Sequence, residues 1–269
     1  MPELPEVETI RRELDKVLAG QRIKDLQGCS LKVVDRRILG VKRKAKMIII
    51  ELSKGESLLI HLKMTGQLIY LPANATRQAL QAGNGKENKY TRAIFTLDKG
   101  RLYFNDLRKF GWIKLVTNKE LKQQLVKLPP DVVDKEFSEK YLEKVLKSSG
   151  RAIKLVLMDQ SKMGGIGNIY ANEILFCAGI DPRTPANTVG LQVRNLQGCI
   201  KKVINQGIKY GGSTASDENF VNARGEPGRF QNYLKVYEQE GKKCPRCKQK
   251  IIKVKLGGRG TYYCPGCQK

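Results

Sequence analysis

Two Cys-x₂-Cys pairs near the end of the chain limit how its last segment can fold. Cys244 and Cys247 form the first pair, and Cys264 and Cys267 form the second after sixteen intervening residues. This spacing is typical of a zinc ribbon, in which four thiolates hold one tetrahedral ion and the residues between them form a β-hairpin. Such a small module buries too little apolar surface to fold without its metal. We therefore predict one structural Zn²⁺ ion here; redox-active cysteines and chance spacing are the alternatives.

The other three cysteines, Cys29, Cys177 and Cys199, have no partner at a recognisable spacing. Acids and prolines occupy the first residues, where a signal peptide would have an apolar stretch. The sequence therefore predicts an intracellular, cytoplasmic protein, a setting in which thiols and metal sites are commoner than disulfides. We expect these three cysteines to be small, buried apolar side chains.

The chain is strongly basic, with 50 Lys and Arg against 26 Asp and Glu, a net charge of +24 and a pI near 9.8. Such an excess is unusual for an enzyme that acts on small molecules, and it indicates a polyanionic partner. An inert charged surface and an anionic membrane are the alternatives, but no basic amphipathic helix or apolar run of spanning length occurs. Basic residues concentrate in 242–269, which contains no acid, and in a second cluster formed by Arg36, Arg37, Lys42, Arg43, Lys44 and Lys46.

The first six residues contain a candidate nucleophile. If Met1 is removed, Pro2 becomes a secondary amine with two carboxylates, Glu3 and Glu6, within four residues of it. Such an amine can attack an aldehyde-like carbon and form an iminium ion, as lysines do in Schiff-base enzymes. An α-amino group has a pKa near 8, so a useful fraction is uncharged at neutral pH. The alternative is that Pro2 only begins a structured terminus.

The N-terminal part combines an amphipathic helix with β-hairpins. Pro5 suits a first helical turn, apolar residues from Val7 to Leu18 recur at helical spacing, and Gly20 can end the helix. Alternating apolar residues then predict hairpins over 48–62 and 93–104, while the polar segment 81–89 predicts a flexible excursion. These patterns indicate a β-rich layered structure with a flanking helix.

The pattern becomes helical after Leu128-Pro-Pro130. Apolar spacing predicts helices within 141–146, 153–158, 168–178 and 191–204, and the Gly- and Ser-rich segment 211–231 predicts a mobile loop. The fold class is therefore α+β. We divide the chain into a β-sandwich domain at 1–117, a linker at 118–133, a helical domain at 134–238 and a zinc-ribbon hairpin at 239–269.

Two further features are compatible with two interpretations each, and a third, His61, with a structural role. The glycine-rich segment Met163–Asn168 precedes a helix, and Asn168 as N-cap would leave backbone N–H groups free for a phosphate, although a plain interhelical turn fits equally. Lys46 opens an apolar strand and can face a cleft, whereas an isolated Lys is by default a surface charge. His61 is the only histidine, and we expect a structural role for it.

Several motifs, in order along the chain, together resemble those of bacterial formamidopyrimidine-DNA glycosylases. They are Pro2-Glu-Leu-Pro-Glu-Val-Glu-Thr9, Lys44-Ala-Lys46, His61-Leu-Lys-Met-Thr-Gly66, Asn105-Asp-Leu-Arg-Lys-Phe-Gly111, Gly164-Gly-Ile-Gly-Asn-Ile-Tyr170 and the cysteine tetrad with Gly258-Arg-Gly260. The resemblance covers essentially the whole chain. It implies a bifunctional glycosylase and AP lyase of base-excision repair, with a helix-two-turn-helix element in the helical region and DNA held in a basic cleft.

The resemblance also implies roles for residues at the N-terminus. Pro2 would attack C1′ of the damaged nucleoside, Glu3 would move protons at the sugar, and Glu6 would organise the site near the amine. Lys46 matches the family's active-site lysine, which contacts a phosphate beside the lesion. Successive β- and δ-eliminations would then cut the strand.

Further roles concern the DNA. Met64, Arg108 and Phe110 match side chains that enter the duplex once the target nucleotide is flipped out, a role that suits apolar wedges and an arginine. Without the resemblance, core packing would be the expectation for Met64 and Phe110. Asn168 and Arg259 would bind phosphates. The implied partner is double-stranded DNA, without a membrane, and the chain is expected to be a monomer.

Two segments depart from the family pattern. The stretch 213–221 is longer than in many members, which affects the loop that covers the flipped base, and Leu128-Pro-Pro-Asp131 lacks the usual hinge glycine. Within the resemblance, Leu4 stands where the related endonuclease VIII group has glycine, which implies oxidised purines as substrates. The alternatives are an oxidised-pyrimidine glycosylase of the endonuclease VIII type and a non-catalytic, zinc-containing DNA-binding protein.

Overall fold

The computed structural model describes residues 2–74, 87–214 and 220–269. Two compact units form: one contains the residues up to Lys127 together with Tyr210–Gln231, and the other contains Leu128–Lys209 and Asn232–Lys269. The segment 210–231 thus belongs to the first unit, although the sequence pattern placed it with the helical region. The residues 81–86 of the predicted excursion and 215–219 of the predicted loop lie outside the described residues.

The first unit begins with helix α1, Leu4–Leu18. Pro5 lies in its first turn, and the Glu6 side chain reaches back to accept a 2.8 Å hydrogen bond from the Glu3 N–H, which satisfies a backbone donor at the helix start. Of the apolar stripe that the sequence predicted, Val7, Ile10, Leu14 and Leu18 are fully buried, whereas Val17 is 38 % exposed. The predicted helix is therefore confirmed.

Two four-stranded antiparallel sheets follow. One has the strand order β1-β6-β7-β5, formed by Ile23–Gln27, Thr91–Leu97, Gly100–Asp106 and Gly66–Pro72. The other has the order β2-β3-β4-β8, formed by Ile38–Lys44, Met47–Leu52, Glu56–His61 and Trp112–Thr117. The predicted hairpins are the pairs β3–β4 and β6–β7, whose inward residues alternate as the period of a strand requires.

One apolar core joins both sheets to α1. Ile10 and Leu14 of the helix belong to the same cluster as Ile48 and Leu58 of one sheet and Phe95 of the other. Helix α2, Asn118–Val126, lies within the segment that we expected to be a linker. Its Leu121 and Leu125 pack on the outer face of the second sheet, which explains why this segment is helical.

The second unit is helical. Its helices are α3, Glu139–Lys147; α4, Ile153–Leu157; α5, Asn168–Ala178; and α6, Val193–Lys209. Helices α5 and α6 approach each other closely at Gly207, where an added Cβ would lie 2.5 Å from the Tyr170 ring. The last predicted helix, 191–204, corresponds to α6, which begins two residues later, at Val193. Leu191, which the prediction counted among its apolar residues, is fully exposed.

A β-hairpin ends the second unit. Its strands are β9, Ile252–Leu256, and β10, Arg259–Tyr263, paired antiparallel as the ribbon pattern predicted. Glu173 of α5 is buried and accepts hydrogen bonds of 2.9 Å from three consecutive backbone N–H groups, those of Lys235, Val236 and Tyr237. This carboxylate therefore fixes the chain just before the hairpin. Among the described residues, no helix has the length and apolar composition needed to cross a bilayer.

Candidate active site

The residues around the start of α1 form a buried acidic group. Pro2 is buried, Glu3 is 2 % exposed and Glu6 is completely buried. One oxygen of the Glu6 carboxylate accepts the Glu3 N–H, and the other accepts the Ser213 N–H at 2.7 Å. Glu6 therefore connects the backbone beside Pro2 to the segment 210–231. The sequence motif placed Glu3 and Glu6 together, but it contained no signal for Ser213.

The contact with Ser213 requires the glycine before it. Gly212 has φ of +81°, and a Cβ there would lie 2.8 Å from the Glu6 side chain. Both the left-handed backbone and the lack of space exclude larger residues. The Ser213 hydroxyl is buried without a hydrogen-bond partner among the described residues.

Lys46 lies in the two-residue turn between β2 and β3, where Ala45 adopts a positive φ of 51°. Although it is a lysine in a turn, it is only 4 % exposed. Nearby, burial and, to a smaller extent, the charges of Lys63 and Lys46 together lower the pKa of His61 to about 4. His61 accepts the Lys63 N–H at 3.0 Å through Nδ1, so it is neutral at physiological pH and its predicted structural role fits.

The basic cluster around Arg43 is largely engaged within the protein. Arg43 forms a 3.0 Å ion pair with Glu8, Arg36 pairs with Glu56 at 2.6 Å, and Lys42 pairs with Glu51 at 2.6 Å. Several of the basic residues that we expected to bind a polyanion thus form ion pairs within the first unit instead.

Three arginines stabilise the ionised form of Glu8. Burial opposes its ionisation, but hydrogen bonds from Arg11, Arg12 and Arg43 outweigh burial and lower its pKa to about 2.

Met64, Arg108 and Phe110 come together on the surface of the first unit. Arg108 Nη1 lies 3.1 Å from Met64 Sδ, and its guanidinium lies 4.8 Å from the centre of the Phe110 ring. Phe110 is 53 % exposed, so the core-packing alternative is wrong for it. An exposed arginine in contact with two apolar side chains is a group of the kind that can insert between stacked bases.

A cavity of about 310 Å³ adjoins these side chains. Thr65 and Leu107, the neighbours of Met64 and Arg108, line one wall, and Thr214, Phe220 and Pro227 line another. Its lining is mixed polar and apolar. The sequence motifs did not identify this cavity, because its walls come from distant parts of the chain.

Asn168 begins α5, but Gly167 is the N-cap, so our prediction of Asn168 as N-cap was wrong by one residue. Gly165 has φ of +108°, a conformation that favours glycine, and its N–H donates to the Gln160 side chain at 3.1 Å. The Asn168 Oδ1 atom is buried without a hydrogen-bond partner among the described residues. Arg259 is exposed at the turn of the hairpin, directly after Gly257 and Gly258, which both have positive φ.

The four cysteines at the chain end form one cluster. Their Sγ atoms lie within 4.8 Å of one another, with Cys244 3.7 Å from Cys267 and Cys247 3.3 Å from Cys264. Two chelating pairs that converge in this way fit a tetrahedral Zn²⁺ ion, and four thiolates leave no open position for catalysis. The cluster is therefore a structural zinc site.

Among the remaining cysteines, the prediction of a buried side chain is confirmed only for Cys199. Cys177 of α5 and Cys199 of α6 form a disulfide with a Cα–Cα distance of 5.7 Å, and Cys29 is exposed. The pairing arises because the two helices pack side by side, which a separation of 22 residues does not reveal.

Comparisons with known proteins agree with these features. Residues 1–113 match the formamidopyrimidine-DNA glycosylase N-terminal domain, residues 128–219 match the H2TH domain of the same enzymes, and residues 241–269 match the zinc finger found in FPG and IleRS. The formamidopyrimidine-DNA glycosylase of Pelotomaculum thermopropionicum is 38 % identical, with 100 % of this chain and 99 % of the relative aligned.

Solved structures with a similar fold come from the same enzymes. The Lactococcus lactis Fpg in complex with DNA containing an abasic site has a TM-score of 0.87 and 32 % identity, with 99 % of both chains covered. A MutM protein in complex with DNA containing carbocyclic 8-oxo-G has a TM-score of 0.86 and 32 % identity, with both chains covered completely.

Proposed function

The chain belongs to the formamidopyrimidine-DNA glycosylase family of bifunctional glycosylases and AP lyases, and from this premise we propose that it excises oxidised purines from duplex DNA with Pro2 as its nucleophile. One observation carries the proposal: Pro2 is buried beside a helix start that Glu6 holds through the Glu3 N–H. A flexible terminus would have to be ordered for each attack, whereas this one is already positioned.

The chemistry begins at the sugar. After removal of Met1, the Pro2 amine attacks C1′ of the damaged nucleotide, and the bond to the base breaks with its electron pair leaving on the base. The amine loses its proton to the departing base, and opening of the sugar ring then gives an iminium ion, with Glu3 supplying the proton that the ring oxygen takes up. Loss of a C2′ proton then expels the 3′ phosphate, a second elimination expels the 5′ phosphate, and water releases Pro2.

Lys46 and the wedge, the cluster of Met64, Arg108 and Phe110, have separate roles. Lys46, held nearly buried in its turn, contacts the phosphate next to the lesion and helps to hold the flipped nucleotide. Met64 and Phe110 fill the space that the nucleotide leaves, and Arg108 donates hydrogen bonds to the orphaned cytosine. The adjoining cavity, whose lining includes Thr65 and Thr214, receives the oxidised base.

The second unit holds the DNA backbone. Asn168 and the N–H groups at the start of α5 bind one phosphate, and Arg259 at the hairpin turn binds another. The zinc ion supplies no chemistry to the reaction; it keeps the hairpin folded so that Arg259 is presented. We further propose that the protein acts as a monomer on chromosomal DNA in the bacterial cytoplasm.

Borohydride trapping tests the nucleophile. A duplex with 8-oxoguanine opposite cytosine, treated with enzyme and borohydride, should give a covalent adduct whose modified peptide contains Pro2. A variant that retains Met1 should give no adduct, because an amide nitrogen cannot form an iminium ion. Lys46→Ala should still give the Pro2 adduct at a reduced excision rate, and Lys54→Ala, an exposed lysine at the other end of β3, should match the native protein. An adduct on Lys46, or full excision by the blocked enzyme, would overturn the proposal.

Substrate choice distinguishes the alternatives. Parallel duplexes carry 8-oxoguanine, thymine glycol or an abasic site. We expect 8-oxoguanine to be excised fastest; preference for thymine glycol would place the protein with the endonuclease VIII type, and binding without strand cleavage would indicate a non-catalytic DNA-binding protein.

A further inference from the structure

One carboxylate connects the two segments that carry the exposed cluster of Met64, Arg108 and Phe110. Asp106 ends β7 and is 1 % exposed. Its Oδ1 accepts hydrogen bonds from the Thr65 hydroxyl at 2.5 Å and from the Arg108 N–H at 3.2 Å, and its Oδ2 accepts the Gly111 N–H at 2.7 Å. Both oxygens are therefore used, and every donor belongs to a residue in or next to the cluster.

The surrounding backbone leaves little freedom. Lys109 adopts a positive φ of 58°, so the turn from 107 to 111 is tight. A Cβ at Gly111 would lie 2.9 Å from the Phe104 ring and 3.0 Å from Asp106 Oδ2, so the N–H of Gly111 can approach the carboxylate only because this residue has no side chain. The Thr65 hydroxyl also accepts the Arg108 N–H at 3.0 Å, which closes the network between the two segments.

We propose that Asp106 is a positioning residue that sets the wedge side chains in their relative places before DNA binds. The inference rests on the wedge role in the proposed function. Met64 belongs to the segment after β4 and Arg108 to the segment after β7, so their 3.1 Å contact depends on how the two segments are joined. A wedge that is already assembled need not be ordered during nucleotide flipping, which lowers the barrier to that step.

Two variants weaken the network in different ways. Asp106→Asn keeps the shape but replaces one acceptor oxygen by an NH₂ group, so in either orientation a backbone N–H faces another donor. Thr65→Val keeps the carboxylate and its two backbone hydrogen bonds but removes the link to the other segment. Asp98→Asn and Thr96→Val are the matched controls. Asp98 also accepts a backbone N–H, that of Arg22, but it lies in the turn at the other end of β7, and Thr96 is a half-buried threonine of the same sheet.

The primary measurement is the ratio of single-turnover excision rates for 8-oxoguanine opposite cytosine and opposite adenine. We expect both network variants to lower excision opposite cytosine by roughly tenfold to hundredfold, as a displacement of about 1 Å can do, and to reduce the ratio. Cleavage at a preformed abasic site should change less. The controls should excise at the native rate. Trp112, the only tryptophan, directly follows Gly111, so its fluorescence reports the state of the turn without any reaction.

The outcomes separate the inference from the function on which it rests. If folded Asp106→Asn and Thr65→Val both keep the native ratio while Arg108→Ala loses it, the wedge exists but Asp106 does not position it. If Arg108→Ala also keeps the ratio, the wedge assignment itself fails. Should Asp106→Asn not fold, the milder Thr65→Val decides between these results. Loss of thermal stability in either variant with an unchanged ratio would assign Asp106 a purely structural role and overturn the inference.

Discussion

The Glu6 carboxylate accepts a 2.7 Å hydrogen bond from the N–H of Ser213, a residue 207 positions further along the chain. Its second oxygen accepts the Glu3 N–H at 2.8 Å. One fully buried group thus holds the residue after the proposed nucleophile and the beginning of a wall of the adjoining cavity. Glu6 therefore joins the backbone beside Pro2 directly to the segment 210–231.

Glu6→Gln should separate this coupling from general stability. The amide can accept from only one of the two N–H groups, so the other faces a donor. We expect excision of 8-oxoguanine to fall by about tenfold to hundredfold, with a loss of about 1–3 kcal/mol in the free energy of unfolding. Glu13→Gln is the control, because Glu13 also ties α1 to the segment 210–231, accepting the Ala223 N–H at 2.9 Å. Equal excision by the two variants would contradict the coupling.

The fold could be read from the sequence where periodicity is local. The spacing of apolar residues over a few positions predicts helix α1 and the hairpins β3–β4 and β6–β7. The spacing of the cysteines predicts the zinc hairpin in the same way. The motif residues Pro2, Glu3 and Glu6 also adjoin one another in the sequence, so their grouping followed directly.

Features that depend on packing between distant residues could not be predicted. The disulfide between Cys177 and Cys199 requires knowledge of how α5 lies on α6. The Ser213 contact and the cavity walls likewise combine residues separated by more than a hundred positions. We predicted Asn168 as the N-cap of α5 because asparagine is ordinarily the better cap, but the residue at that position is Gly167.

Acid should destabilise the first unit through Glu8. Its pKa in the folded protein is about 2, below the ordinary 4.5, so the ion pairs with Arg11, Arg12 and Arg43 stabilise the protein fully above pH 4.5. This contribution is lost as the pH falls from about 4.5 toward 2. Unfolding curves measured over this range should show a weaker pH dependence in Glu8→Gln than in the native protein. The exposed Glu136→Gln should keep the native dependence; if Glu8→Gln keeps it as well, the ion-pair group is not responsible.

The disulfide should stabilise the pair of helices α5 and α6. It links residues separated by 22 positions, for which restriction of the unfolded chain corresponds to about 3 kcal/mol. Cys199→Ser should lower the free energy of unfolding of the oxidised protein by up to this amount and leave excision unchanged. Cys29→Ser, which removes an exposed free thiol, should have no effect. Alkylation followed by intact-mass measurement determines whether the bond is present; two alkylated thiols at 177 and 199 in unreduced protein would refute it.

Removal of zinc should unfold the hairpin and leave the first unit intact. Cys247→Ser should lose the single bound ion and with it DNA binding, because the ribbon folds on its metal. Trp112 lies in the first unit, so its emission should remain that of the native protein. Elemental analysis gives the metal content, with Cys29→Ser as the control that keeps one zinc per chain. Full DNA affinity in metal-free protein would show that the hairpin contributes nothing to binding.

Salt dependence should identify which residues contact phosphates. The logarithm of the DNA association constant should fall linearly with the logarithm of the salt concentration, because each neutralised phosphate releases counterions. Arg259→Ala should weaken binding to all duplexes alike and reduce the slope by about 1, whereas Asn168→Ala should weaken binding with little change of slope because its side chain carries no charge. Lys253→Ala is the control on the same hairpin. That lysine lies 4.0 Å from Glu240 and 5.4 Å from the centre of the Tyr262 ring, so it is already engaged within the protein. If Arg259→Ala and Lys253→Ala change the slope equally, the hairpin attracts DNA by its overall charge, and Arg259 has no specific phosphate contact.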